Sequence, residues 1–232
     1  MTSRLTFDAV GRDAVTVTLE NAVIAGWTGR DQAAVDHHIA ELEAIGVAPP
    51  STVPLFYHVG AQLLTQSPLI EVVGTASSGE IEPLLLDDGN ALYLGLGSDH
   101  TDRDLEAQSV ALSKQVCPKP VASTLWRFEE VSDHLDEIRL QSFVRDDMAA
   151  DWVSYQDGPM AKIRPLADLM ARCPLALEGG RLTPGTAMMC GTLGVLAGGV
   201  RPARHFRMVM SDPVLGRSIT HQYECRVLPV VS

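Results

Sequence analysis

Apolar and polar residues alternate in short runs along most of this chain, the period of half-buried strands. Residues 13–25 (DAVTVTLENAVIA) alternate and carry β-branched side chains, which predicts a strand or hairpin. A strand-like core follows at 54–59 after proline punctuation, and PLIEVVG (68–74) is another short strand. EIEPLLL (80–86) and ALYLGLG (91–97) form a strand pair joined by the turn DDGN. Residues 136–147 and 150–158 read as a further hairpin, GTAMMCG and HFRMVMSDP as strands, and GRSITHQYECRVLP closes the chain. Helical spacing is confined to three stretches. Ala33, Ala34, Ile39, Leu42 and Ile45 mark a helix over 31–46 that Gly46 stops, 105–114 holds a short helix, and 164–172 starts beside a proline. The predicted fold is therefore mixed α/β and strand-rich, with a few helices on its rim.

Length and charge narrow the function classes. With 232 residues, 46% of them hydrophobic, the chain can bury the core of one domain. Its 29 acidic against 18 basic residues, net −11, argue against a nucleic-acid surface and against an anionic membrane surface. The most apolar stretch, AMMCGTLGVLAGGV (187–200), is shorter than the ~20 residues of a membrane span and is broken by glycines. The first ten residues lack the basic start and apolar run of a secretory leader, so a cytoplasmic location is expected. Cys117, Cys173, Cys190 and Cys225 form no CxxC pair, which points to buried free thiols and not to a zinc site or a disulfide framework.

The chemistry gathers at one place. In EIE, Glu80 and Glu82 project to one face of a strand while Ile81 packs the other way. A hairpin over 80–97 returns Asp99 to the same end. Three carboxylates at the base of a core strand repel one another unless a cation joins them, and an all-oxygen set suits Mg²⁺ or Mn²⁺. The spacing alone is also compatible with a solvated hairpin base on an acidic surface.

The order EIE, a strand pair, then GSDHTDRDLE resembles the signature of the fumarylacetoacetate hydrolase family. VPLFYHVGAQLLTQSPLI, ALSKQVCPKP, LEGGRLTPGTAMMCGTLGVLAGG and the closing GRSITHQYECRVL resemble that family's other segments in the same order, as does HHIAEL near the start. Ser98 stands where the family usually has Asn, His58 where it has Lys, and Leu193 where it has Pro. The resemblance implies a β-roll with peripheral helices in a single domain over 1–232, of which 1–50 supplies N-terminal strands and a lid helix and 51–232 the β-rich core. It implies Glu80, Glu82 and Asp99 as ligands of Mg²⁺ or Mn²⁺. It implies His38, Glu41 and Lys114 as catalytic residues, with His58, Arg103, Gly191 and Thr192 at the substrate. By the same register His58 faces the site and Tyr57 the core.

A divalent metal with open positions chelates a 2-oxo or 1,3-dicarbonyl acid and acts as a Lewis acid on the enolate released when a C–C bond breaks. His38 and Glu41, at i and i+3, fit a dyad that activates water, with His37 in reserve. Such pairs are also frequent on ordinary exposed helix faces. Arg103 pairs with Asp104 or with a site carboxylate. The implied activity is metal-dependent hydrolysis of a C–C bond in a small oxo-acid substrate, by a homodimer. The alternatives are a decarboxylase, tautomerase or dehydratase using the same metal, and a non-catalytic binding protein that keeps the fold.

Overall fold

The computed structural model describes residues 2–44, 49–196 and 198–231, and excludes the side chains of residues 38, 41 and 42. In chain order the main elements are β1 (Ser3–Ala9), β2 (Val15–Leu19), β3 (Asn21–Gly26), α1 (Gln32–Ala44), β4 (Leu55–Val59), β5 (Leu69–Val73), β6 (Ile81–Asp87) and β7 (Leu92–Ser98). Then follow α2 (Arg103–Glu106), α3 (Val110–Gln115), β8 (Thr124–Arg127), α4 (Phe128–Val131), β9 (Arg139–Arg145), β10 (Val153–Pro159), α5 (Leu166–Arg172), β11 (Thr186–Met189), β12 (His205–Asp212) and β13 (Arg217–Leu228). An eight-stranded sheet runs β2-β1-β8-β7-β6-β11-β3-β4, and a five-stranded sheet runs β10-β9-β12-β13-β5. Short pairings of Ser77–Ser78 with Thr101–Asp102 and of Leu64–Thr65 with Lys119–Pro120 pin the connecting segments.

The two faces of the larger sheet bury separate clusters. Ile81, Leu85, Leu94, Leu96, Trp126 and Met188 point toward the smaller sheet and pack with Leu140, Phe206, Met210 and Tyr223. Leu84, Leu86, Ile24, Tyr93 and Leu125 point the other way and pack with Phe7, Val17 and Leu19. Each fully buried leucine or isoleucine stabilises this arrangement by about 1.5–3 kcal/mol. Because β6 and β7 are covered on both faces, they read as nearly continuous apolar runs. At Gly95 an added Cβ would stand 2.7 Å from Leu125 Cδ2, so glycine lets β8 lie close against β7.

The β6–β7 hairpin forms in the expected register, with Ile81 opposite Ser98 and Asp87 opposite Leu92. Its turn is held by Asp87 Oδ1, which accepts from Gly89 N at 2.8 Å, and by Asp88 Oδ1, which accepts from Asn90 N and Ala91 N at 2.7 Å. The 13–25 segment is not a hairpin: β2 pairs with β1, while β3 lies between β11 and the edge strand β4 at the other end of the larger sheet. The single helix expected over 105–114 is two, α2 capped by Asp102 and α3 by Ser109. Strands β1 and β8 have no counterpart in the sequence reading. Helix α1 starts where expected, with Asp31 Oδ1 accepting from Ala33 N and Ala34 N; residues 45–48, with the expected stop at Gly46, lie outside the described residues.

Candidate metal centre

The hairpin base positions the acidic groups. Ser98 Oγ accepts from Glu80 N at 3.2 Å, and Glu80 O accepts from Asp99 N at 3.0 Å, so the two strand ends are locked together. One carboxylate oxygen from each of Glu80, Glu82 and Asp99 lies within 4.8 Å of the others. Asp99 and Glu82 are buried, whereas Glu80 is partly exposed and marks the open side.

Counter-charge is distributed unevenly. Arg103 Nη2 stands 3.1 Å from Glu80 Oε1, and its Nη1 stands 2.9 Å from Glu106 Oε2. Lys114 donates to Asp99 Oδ2, and Lys119 Nζ stands 2.9 Å from Oδ1. That second contact is an ion pair without hydrogen-bond alignment. Burial alone would raise the Asp99 carboxyl, but the two ammonium groups outweigh it and hold the carboxyl well below the usual range. Burial would lower the Lys114 ammonium, and Asp99 and then Glu80 outweigh that and raise it. Glu82 has no ion-pair partner among the described residues. Its Oε2 accepts only from Gly191 N, at 2.8 Å, and burial followed by the nearby Asp99 and Glu80 charges pushes its carboxyl well above the ordinary range. A buried carboxylate in this position calls for a cation. The donor set is all oxygen, one atom from each of three carboxylates, so the residues present fit a hard divalent ion such as Mg²⁺ or Mn²⁺.

The loop after β11 completes the cradle. Gly191 has φ +95°, and a Cβ there would stand 1.6 Å from Thr28 Oγ1. Only glycine lets this backbone N–H reach Glu82. The Thr192 hydroxyl donates to Ile81 O at 2.7 Å and accepts from Gln156 Nε2 at 2.8 Å. Gln156, fully buried on β10, also donates to Leu193 O at 2.7 Å and accepts from Ile81 N at 3.0 Å and from Ser142 Oγ at 2.8 Å. One amide thus ties the start of β6, between the two glutamates, to the loop that holds Glu82.

The remaining sequence-predicted residues are distributed as follows. Lys114, Arg103, Gly191 and Thr192 gather around the triad. Arg103 pairs with Glu80 and Glu106 and not with Asp104. Tyr57 packs against the core as expected, but His58 does not turn toward the acidic groups. Tyr57 pairs with Ile24, packs on the same side as Leu84 and Leu86, and has Lys114 Nζ 5.6 Å from its ring centre. His58 pairs with Val23 on the opposite face and is exposed. A one-residue difference in register exchanges the two faces of a strand. His38 and Glu41 lie on α1, and their side chains are outside the described residues.

Sequence reasoning missed Lys119, Gln156 and Tyr223. Tyr223 OH hydrogen-bonds Ser98 Oγ at 2.9 Å and His100 Nδ1 at 3.0 Å, and His100 Nε2 reaches Ser77 Oγ at 3.0 Å. Burial, then Lys119 and Arg103, lowers the His100 imidazole to about 3, so it is a neutral bracket behind Asp99. No local motif marks these residues; only the paired strands bring them together.

Among solved structures the chain is similar to 2-keto-3-deoxyarabinonate dehydratase, with a TM-score of 0.61 at 12% identity over 94% of this chain and 78% of that one. A form of 2-keto-3-deoxy-D-arabinonate dehydratase complexed with magnesium and 2,5-dioxopentanoate gives a TM-score of 0.60, again at 12% identity and over the same shares of the two chains. Cg1458 gives a TM-score of 0.57 at 13% identity over 99% of this chain and 89% of that one. At such identities the likeness concerns the fold, the strand-rich mixed α/β architecture that the sequence predicts. No curated protein matches the chain in sequence. The family described as "Protein of unknown function (DUF2848)" matches residues 25–223, which omits β1, β2 and most of β3, and the chain belongs to that family.

Proposed function

We propose that this protein is a divalent-metal-dependent enzyme acting on a small 2-oxo acid. The observation that carries this reading is the buried Glu82, which meets two further carboxylates within 4.8 Å and has no ion-pair partner among the described residues. Glu80, Glu82 and Asp99 would hold Mg²⁺ or Mn²⁺. When bound, such an ion supplies Lewis-acid charge at a carbonyl oxygen. The chain's own residues hold the carboxylates: Gly191 N–H orients Glu82, Arg103 steadies Glu80, and Lys114 and Lys119 steady Asp99. Removing metal with a chelator, or substituting Glu82→Ala, abolishes turnover of a panel of acylpyruvates and other 2-oxo acids. Turnover that survives either change refutes the proposal.

Two finer readings divide at helix α1. In the first, His38 and Glu41 activate a water that hydrolyses a C–C bond in an acylpyruvate-like acid, as the family resemblance implies. In the second, the protein is a dehydratase. Its support is the likeness to a dehydratase that binds magnesium and 2,5-dioxopentanoate. Glu41→Gln separates them: a hydrolase loses ~10²-fold or more in kcat with its general base, while a dehydratase that does not use the dyad retains most of its rate. The resemblance also implies a homodimer, which sedimentation velocity tests directly.

A further inference from the structure

Lys119 is the second ammonium on the Asp99 carboxylate. Its side chain is 1% exposed, and the Lys119–Pro120 strand is pinned in parallel to Leu64–Thr65. It donates to the His100 carbonyl and stands 2.9 Å from Asp99 Oδ1, although Lys114 already neutralises the other oxygen of that carboxylate. Burying an ammonium is costly, and a second one on a single carboxylate exceeds what the pair needs. A structural role alone would be met by a neutral donor to His100 O.

The charge count around the triad gives the second lysine a role. In the ionised state that holds a cation, Glu80, Glu82 and Asp99 face Arg103, Lys114 and Lys119, three negative charges against three positive ones. Glu106, on the other side of Arg103, adds one negative charge at the rim. A divalent cation therefore turns the cluster net positive by one charge, and an anion that ligates it restores neutrality. Without Lys119 the same cluster would be net negative by two and would take up the cation unaided.

We infer that Lys119 makes cation binding at this centre conditional on an anionic ligand, so that metal and a monocarboxylate such as a 2-oxo acid bind as a cooperative pair. This rests on the metal-dependent reading and deepens it. Lys119 is a positioning residue in this scheme: it acts through Asp99 and touches neither ion nor ligand. Linkage requires the effect to be reciprocal, with the cation tightening the anion by the same factor.

Calorimetric titration of the folded protein with Mn²⁺, in the absence and presence of saturating pyruvate, tests the inference without reference to turnover. In the wild type, pyruvate tightens Mn²⁺ binding at least tenfold. In Lys119→Gln, which keeps an N–H donor for His100 O but carries no charge, Mn²⁺ alone binds at least tenfold more tightly than to the wild type, and the tightening by pyruvate shrinks. Lys119→Met behaves alike, while Lys119→Arg, which keeps the charge, retains the wild-type coupling. Equal Mn²⁺ affinity with and without pyruvate in the wild type overturns the inference even if no variant folds. So does an unchanged Mn²⁺ affinity in folded Lys119→Gln. Either result leaves the metal centre standing provided Glu82→Ala abolishes binding. Absence of Mn²⁺ binding under both conditions overturns the centre itself.

Discussion

Gln156 and Gly191 show how little of this centre resides in its ligands. Each supplies a hydrogen bond that a similar residue cannot: the amide of Gln156 has four partners, and the N–H of Gly191 reaches Glu82 from a backbone conformation that side chains disfavour. Gly191→Ala must both adopt the left-handed region and displace Thr28. It is expected to destabilise the fold by more than ~1 kcal/mol in urea denaturation, and to weaken Mn²⁺ binding. Gln156→Met, close in volume but unable to bond, leaves Ile81 N and Leu193 O without partners. Its expected cost is about 1–3 kcal/mol per stranded group, with a fall of 10–100-fold in Mn²⁺ affinity from the loosened supporting shell. Neither role could be read from composition, since a buried glutamine and a loop glycine carry no motif. Their meaning comes from partners 14 to 109 positions away.

The hairpins are the units that bring ligands together, and their turns are where they are vulnerable. Asp212 closes the β12–β13 hairpin. Its Oδ1 accepts from Val214 N at 3.0 Å, Leu215 N at 3.1 Å and His134 Nε2 at 3.1 Å, and its Oδ2 lies 3.3 Å from Arg217 Nε. Burial alone would raise this carboxyl; the Leu215 N–H and His134 outweigh it and hold it below the usual range. A carboxyl depressed by folding contributes stability that is fully present above its unfolded pKa, about 4, and is lost as pH falls through the folded value. Asp212→Asn is therefore expected to lose about 1–3 kcal/mol near pH 7. Its stability falls less than that of the wild type between pH 5 and 3, as denaturation curves across that range will show. The β6–β7 hairpin was legible because DDGN and the flanking alternation are local signals. The pairing of β3 with β11 was not, because a parallel neighbour 165 residues away leaves no trace in either strand's own pattern.

Over the whole molecule, the two apolar clusters and the charge balance act together. The larger sheet buries leucines on both faces, which leaves the open end of the hairpin as the place where polar groups can collect without breaking the core. A cation that binds only the folded state there stabilises it by linkage. At a hundred times its Kd the gain is about 2.7 kcal/mol, and each kcal/mol raises Tm by about 2–4 °C for a domain of this length. A thermal scan with Mn²⁺ in the presence of pyruvate is expected to display this rise, and Glu82→Ala to lack it. None of the described helices is long and apolar enough to cross a membrane.

By itself the sequence determined the strand-rich class, the β6–β7 register and the meeting of Glu80, Glu82 and Asp99. All three follow from side-chain period and from one short turn, interactions that act over a few residues. Tertiary structure alone decided that Tyr57 and not His58 shares a side with the acidic groups, that Lys119 reaches Asp99, and that Gln156 anchors the Gly191 loop. Those outcomes depend on sheet order and on which distant strand comes to lie alongside. Burial of the whole core selects that arrangement, and no local pattern encodes it.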